Sequence, residues 1–128
     1  MDKSPKEHWK TDPEDHDFPA ALDYLSLLLD LDSARSTVSA LRHATGTTRK
    51  AKDLLRASGL PLLPPENAHV ASDLAKVSQG VRLSPVLLAR GRLQHGVPLT
   101  IADGYHRVCA SYHLDENADI PCRIVDVS

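Results

Sequence analysis

The chain has 128 residues, 41% of them hydrophobic and 25% charged, a size that suits one compact domain. Its net charge of −2, its 4% aromatic content and its two cysteines argue against bulk capture of nucleic acid, base-stacking platforms and a disulfide scaffold in turn. No apolar run reaches the roughly 18 residues of a membrane span, and MDKSPKEHWK has no secretory core, so a cytoplasmic protein with no membrane partner is expected.

Residues 1–17 hold three lysines, six acids, Pro5 and Pro13, a composition too polar to bury itself, and are expected to form a mobile tail. Trp9 is the exception and should dock the tail on the body or on a second subunit. From Phe18 to Leu29 a helix is expected, with Asp17 as its cap and Ala21, Tyr24, Leu25 and Leu28 as its apolar stripe. A second helix should follow Asp32 and Ser33, with Ala34, Val38 and Leu41 inward and Gly46 as the stop. A third is expected from about Thr48 to Ser58, ended by Gly59. Residues 18–58 thus read as a helical segment that covers a sheet or mediates self-association. Its basic residues, from Arg42 to Arg56, read as a solvated face, because Asp53 interrupts them and no base-reading motif accompanies them.

After Gly59 the pattern changes to short apolar runs alternating with helices, so residues 59–128 read as an α+β domain. Leu60–Leu63 is an extended run that Pro61 and Pro64 confine to a sheet edge. Glu66–Ser78 is a helix with Val70, Leu74 and Val77 on one side. Val86–Leu88 and Pro98–Ala102 are strands around a polar turn, Tyr105–Leu114 is a helix and Ile120–Val125 a closing strand.

The most informative segment is Pro98–Leu114, PLTIADGYHRVCASYHL, where a strand enters a helix through Asp103-Gly104. A glycine there permits a tight turn, and the first helical N–H groups have no partner inside the helix. Those donors and the helix dipole favour an anion. Arg107 can offer a planar fork to phosphate, and His106 a hydrogen bond or a proton. Tyr105, Val108, Cys109 and Tyr112 form the core stripe of that helix, which leaves Arg107 pointing away from it.

These residues resemble the ParB/sulfiredoxin-like superfamily over about half the chain, Leu60 to Val127. The likeness rests on LPLLPPENAHVASDLAKVSQGVRLSPVLLARG, PLTIADGYHRVCASYHL and DIPCRIVDV in that order. The ParB box, Gly-x-x-Arg-x-x-Ala, is met by Gly104, Arg107 and Ala110. The resemblance implies a small mixed sheet with helices and a site for a nucleotide or another phosphorylated small molecule at Gly104, Tyr105, His106 and Arg107. In the free-serine kinase branch an acid in this turn binds Mg²⁺ or activates a hydroxyl, which makes Asp103, His106 and Glu66 the candidate catalytic residues and Mg²⁺ with a nucleotide the implied cofactor. Tyr105 stands where sulfiredoxins carry their cysteine, so sulfinic-acid reduction is not expected. The chain stops at Ser128 with no helix-turn-helix, so sequence-specific DNA binding is not expected either.

Other chemistries have little support. Cys109 and Cys122 are too far apart for a redox pair, and Cys122 alternates with Ile120 and Ile124 as a buried hydrophobe. His106, Cys109 and His113 share one helix flank without a fourth ligand, so no metal site is expected. His69 reads as a surface residue in a first helical turn. P-loop, HExxH and GxSxG frameworks are absent. Two functional classes stay open: binding of a phosphorylated ligand, with NTP hydrolysis or phosphoryl transfer as its reactions, and a non-catalytic interaction or regulatory protein in which the turn is structural. A homodimer is expected in either case.

Overall fold

The computed structural model describes residues 8–127. Among the described residues, five α-helices and four strands follow in the order α1 (Asp17–Leu25), α2 (Leu31–His43), β1 (Thr47–Lys50), α3 (Ala51–Ser58), α4 (Ala68–Ser78), β2 (Val86–Ala89), β3 (Thr100–Asp103), α5 (Tyr105–Leu114) and β4 (Asp119–Val125). The fold is α+β, as the sequence pattern predicts, built on one mixed sheet of order β1-β4-β2-β3. Only the central pair, β2 with β4, is parallel.

Two apolar clusters lie on the two faces of this sheet. Alternation along β2 sends Val86 and Leu88 into one cluster and Leu87 into the other. Neighbouring Ile101 and Ala102 of β3 divide in the same way. Helices α3, α4 and α5 close the first face, with Leu54, Val70 and Val108 buried against it. Helices α1 and α2 close the other with Phe18, Leu25, Val38 and Leu41.

The segment before Gly59 departs from an all-helical reading. Thr47–Lys50 is a strand that pairs antiparallel with β4, not the first turn of the third helix. Two β-branched threonines favour the extended form. The N–H groups of Ala51 and Lys52 bond to the carbonyls of Ala118 and Glu116, so the helix starts where the neighbouring turn satisfies its free donors. Residues 18–58 therefore supply a strand to the same sheet as residues 59–128.

The ends of α1 and α2 also shift. Helix α1 stops at Leu25, and Asp17 is its buried first residue, not its cap. Tyr24 and Leu28, expected inward, are half exposed. Asp30 caps α2 by accepting from Ser33 N at 3.1 Å, and the helix ends at His43, short of Gly46. Gly59 closes α3 in the left-handed region at φ +68°.

Residues 8–16, expected to be mobile, are held. Trp9 is buried in the first cluster, Leu83 N donates to His8 O and Lys10 N to Leu83 O, both at 2.7 Å. The rest of the expected tail, residues 1–7, lies outside the described residues. Leu60–Leu63 joins no strand. With Pro61, Pro64 and Pro65 lacking donors it has little to give a sheet, and its carbonyls serve side chains instead. Tyr105 Oη donates to Pro61 O, and His113 Nε2 lies 2.7 Å from Leu63 O. Helix α4 begins at Ala68, two residues later than expected, because Asn67 Oδ1 accepts from His69 N and Val70 N.

Candidate functional site

Strand β3 ends at Asp103, and Gly104 turns the chain into α5 at φ +109°. The position excludes a side chain twice over. That φ is strained for an L-residue, and a Cβ there would lie 2.7 Å from Arg107 Nη2 and 3.0 Å from Val86 Cγ2. Gly104 also leaves α5 without a side-chain cap for its first N–H groups, and Gly104, His106 and Arg107 line a cleft of about 410 Å³.

Four elements wall this cleft. Helix α5 brings His106 and Arg107, the β3 turn brings Asp103 and Gly104, the head of α1 brings Asp17, and α4 brings His69, Asp73 and Lys76. Spaced at i, i+3, i+4 and i+7, His69, Ser72, Asp73 and Lys76 form a polar stripe on α4 that flanks its apolar one. The rings of His69 and His106 lie 4.6 Å apart, centroid to centroid.

Arg107 does not point away into solvent as the helical wheel suggests. Its guanidinium folds back over Gly104, donates from Nη2 to Asp103 Oδ2 at 2.7 Å, and places Nη1 3.9 Å from Asp17 Oδ1. Its side chain is 13% exposed, those of Asp17 and Asp103 4% and 21%. Asp17 is held from its other side by Glu14 N, which donates at 3.0 Å, and by His16 Nε2 at 3.4 Å. An arginine flanked by two carboxylates and lying on a glycine is a built-in part of the fold. The glycine's missing side chain is the space its guanidinium fills.

Burial sets the electrostatics. Desolvation pushes the Asp103 carboxyl above the usual carboxylate range, and the Arg107 charge and hydrogen bond only partly oppose it. Asp73 is likewise raised by burial, against the pull of Lys76, Arg107, His106 and His69. His106 is lowered, first by burial and then by the neighbouring His69. Its imidazole is therefore neutral at neutral pH and able to accept a proton.

Of the residues predicted from sequence, Asp103, Gly104, His106 and Arg107 come together at this cleft. Tyr105 turns its ring toward the core and its hydroxyl to Pro61 O, and it does not line the cleft. Glu66 is exposed in the turn before α4 and is not on the cleft wall. His69, read as a surface residue, joins the wall. Asp17, Asp73 and Lys76 were not anticipated. The α4 stripe was the available signal for Asp73 and Lys76, but nothing local in the sequence marks Asp17, which reaches the site through the packing of α1 on β3. Among the described residues, no three His, Cys, Asp or Glu side chains converge to hold a metal ion. Asp103, the residue implied for Mg²⁺, is engaged by Arg107.

Comparison with protein-family models, with curated proteins and with solved structures finds no match.

Proposed function

We propose that the cleft at the head of α5 binds a phosphorylated small molecule, with a nucleotide as the class implied by the resemblance to ParB/sulfiredoxin-like domains. The observation that carries this reading is the uncapped start of α5 beside about 410 Å³ of space, where Lys76, His69, His106 and Arg107 stand among Asp17, Asp73 and Asp103, with Arg107 already paired to Asp103. Helix N–H groups, the helix dipole and two cations supply what a phosphate needs.

Arg107 is not idle in the free protein, so its role is exchange. A phosphate seated against α5 competes for the guanidinium with Asp103, whose burial already favours its neutral form. Protonated Asp103 gives up Arg107 without leaving a bare charge, so the ligand should bind more tightly as pH falls toward the carboxyl's range. Neutral His106 is the side chain placed to take a proton from a water or hydroxyl, the first requirement of NTP hydrolysis or phosphoryl transfer. Glu66 has no such position, and no step here passes through a metal ion.

Titration calorimetry with ATP, ADP, CTP, GTP and inorganic phosphate tests the proposal. Micromolar binding of at least one, weakened about 10-fold or more by Lys76→Ala, is the expected result, since each lost charge-assisted contact costs about 1.5–3 kcal/mol. Silence across the panel refutes it. It would leave the second reading, a purely structural turn in an interaction protein, which the closed Arg107–Asp103 pair favours. The expected homodimer is a separate proposal, supported by Leu27 in the α1–α2 connection and Leu31 at the start of α2 standing exposed. Light scattering on the purified chain checks it.

A further inference from the structure

A larger cavity of about 610 Å³ lies at the opposite end of β3, where α1, the segment after α3 and the 90–99 hairpin meet. Its walls are Tyr24, Leu28 and Leu29 from α1 and its C-terminal extension, Leu60 after α3, and Val97 and Leu99 from the hairpin. The hairpin is held in place by its own backbone. Arg92 N donates to Val97 O at 2.8 Å, and Val97 N to Arg92 O at 3.0 Å. Its return limb presses on Gly91, where a Cβ would lie 2.7 Å from Val97 O and 2.8 Å from the Pro98 carbonyl carbon. The hairpin side of the concavity is thus set by backbone contacts.

The α5 cleft mixes Asp17, Asp73 and Asp103 with Lys76 and Arg107, whereas this cavity has charge of one sign only. Its wall carries two arginines, Arg90 and Arg92, and no acidic residue. Arg90 is paired with Asp126 at 2.8 Å. Arg92 donates from Nη2 to the carbonyl of Val127 at 2.8 Å, a neutral acceptor that leaves its charge in place. Among the described residues no carboxylate lies within ion-pair distance of Arg92. Ligand pockets of this kind, several hundred Å³ with apolar walls and a few polar groups, take molecules with an apolar body and a matching head.

We infer that this cavity binds an amphipathic carboxylate, a hydrocarbon or acyl chain lying along Tyr24, Leu28, Leu60 and Val97 with its anionic head against Arg92. The site shares no residue with the α5 cleft and does not depend on the function proposed for it. It also accounts for the half exposure of Tyr24 and Leu28, which the helical pattern marks as core positions. They are apolar because they line a site.

Calorimetry of the full chain with hexanoate, octanoate and decanoate, each below its micelle concentration, tests the inference. Burial of one methylene strengthens binding about 4-fold, so affinity should climb by about 15-fold for each two-carbon step. Arg92→Gln should weaken decanoate at least 5-fold, and Leu28→Glu, at a half-exposed position, should abolish binding while the thermal melt stays cooperative. Val97→Glu should do the same from the opposite wall. Absence of decanoate binding overturns the inference. So does equal binding of a decyl trimethylammonium ion, or indifference of decanoate binding to Arg92→Gln and to both glutamate variants.

Discussion

Replacing Gly104 with alanine tests how the turn at the head of α5 is built, and its cost follows from the geometry. Holding a non-glycine residue at φ +109° costs about 1–3 kcal/mol, as sparsely populated backbone regions do. The new Cβ would sit 2.7 Å from Arg107 Nη2 and 3.0 Å from Arg107 Nε. The guanidinium must retreat, lengthening a 2.7 Å bond to Asp103 that belongs to the charge-assisted class worth about 1.5–3 kcal/mol. Partial loss of that bond brings the total to about 2–4 kcal/mol, or roughly a 10 °C fall in Tm for a chain of this length. The informative assay is a double-mutant cycle by urea unfolding, with Gly104→Ala measured in the parent and in Arg107→Met. Without the guanidinium only the backbone strain and the Val86 contact remain, so the cost should drop to the strain range of about 1–3 kcal/mol and the coupling should be about 1 kcal/mol. Equal costs in the two backgrounds would refute the idea that the glycine exists to seat the arginine.

Asp73→Asn should raise thermal stability at pH 7. A carboxyl whose folded-state pKa is raised by burial binds its proton more tightly in the folded chain, so its contribution falls as pH climbs from the ordinary value of 3.8 through the raised one. The gain should vanish below pH 3.8, where parent and variant are both neutral, and melts at pH 3.5 and pH 7 check this. His106 has the opposite sign. Its lowered pKa makes folding resist protonation, so stability should fall as pH drops from 6.5, and His106→Gln should flatten that limb of the stability–pH curve. Burial pushes the Cys122 thiol up to about 11 and raises that of Cys109, and both side chains are buried. Neither should react with a disulfide reagent at pH 8 until denaturant opens the chain, at which point two thiols should titrate. Trp9, the sole tryptophan, should emit at short wavelength, and Trp9→Ala should cost about 3–5 kcal/mol because its indole belongs to the main core. Native-like stability in that variant would show that residues 8–16 are only loosely attached.

The sequence made the second half of the chain more legible than the first, for a physical reason. Helix α5, with Val108 and Cys109 on its inner stripe, has its boundaries written locally, by a glycine before it and an apolar period through it. The alternation of Ile120 and Cys122 likewise marks β4 without reference to anything distant. Thr47–Lys50 carries no such mark. It is four polar or β-branched residues with an exposed face, and it is a strand because β4 has an open edge beside it. Leu60–Leu63 fails in the other direction, an apolar run with strand composition whose prolines cannot join a ladder. Trp9 was identifiable as an anchor from its isolation in a polar stretch. The partner it finds, Leu83, was not, because nothing near either residue encodes a separation of that length.

The same distinction governs the candidate site. Asp103, Gly104, His106 and Arg107 are contiguous and could be found together, but their meaning depends on Asp17, almost ninety positions earlier. Read locally, Arg107 is a free cation at the start of a helix, available to any anion. With α1 packed along β3, Asp17 arrives beside Asp103, and the arginine becomes the shared counterion of two partly buried carboxylates. Removing it should therefore harm the fold before it harms any ligand, since unpaired buried carboxylates are costly. Arg107→Met should destabilise the chain, and adding Asp103→Asn to it should restore part of the loss by removing one of the two orphaned charges. An arginine whose only business was ligand binding would show neither effect. Its loss would leave unfolding unchanged, and Asp103→Asn would rescue nothing.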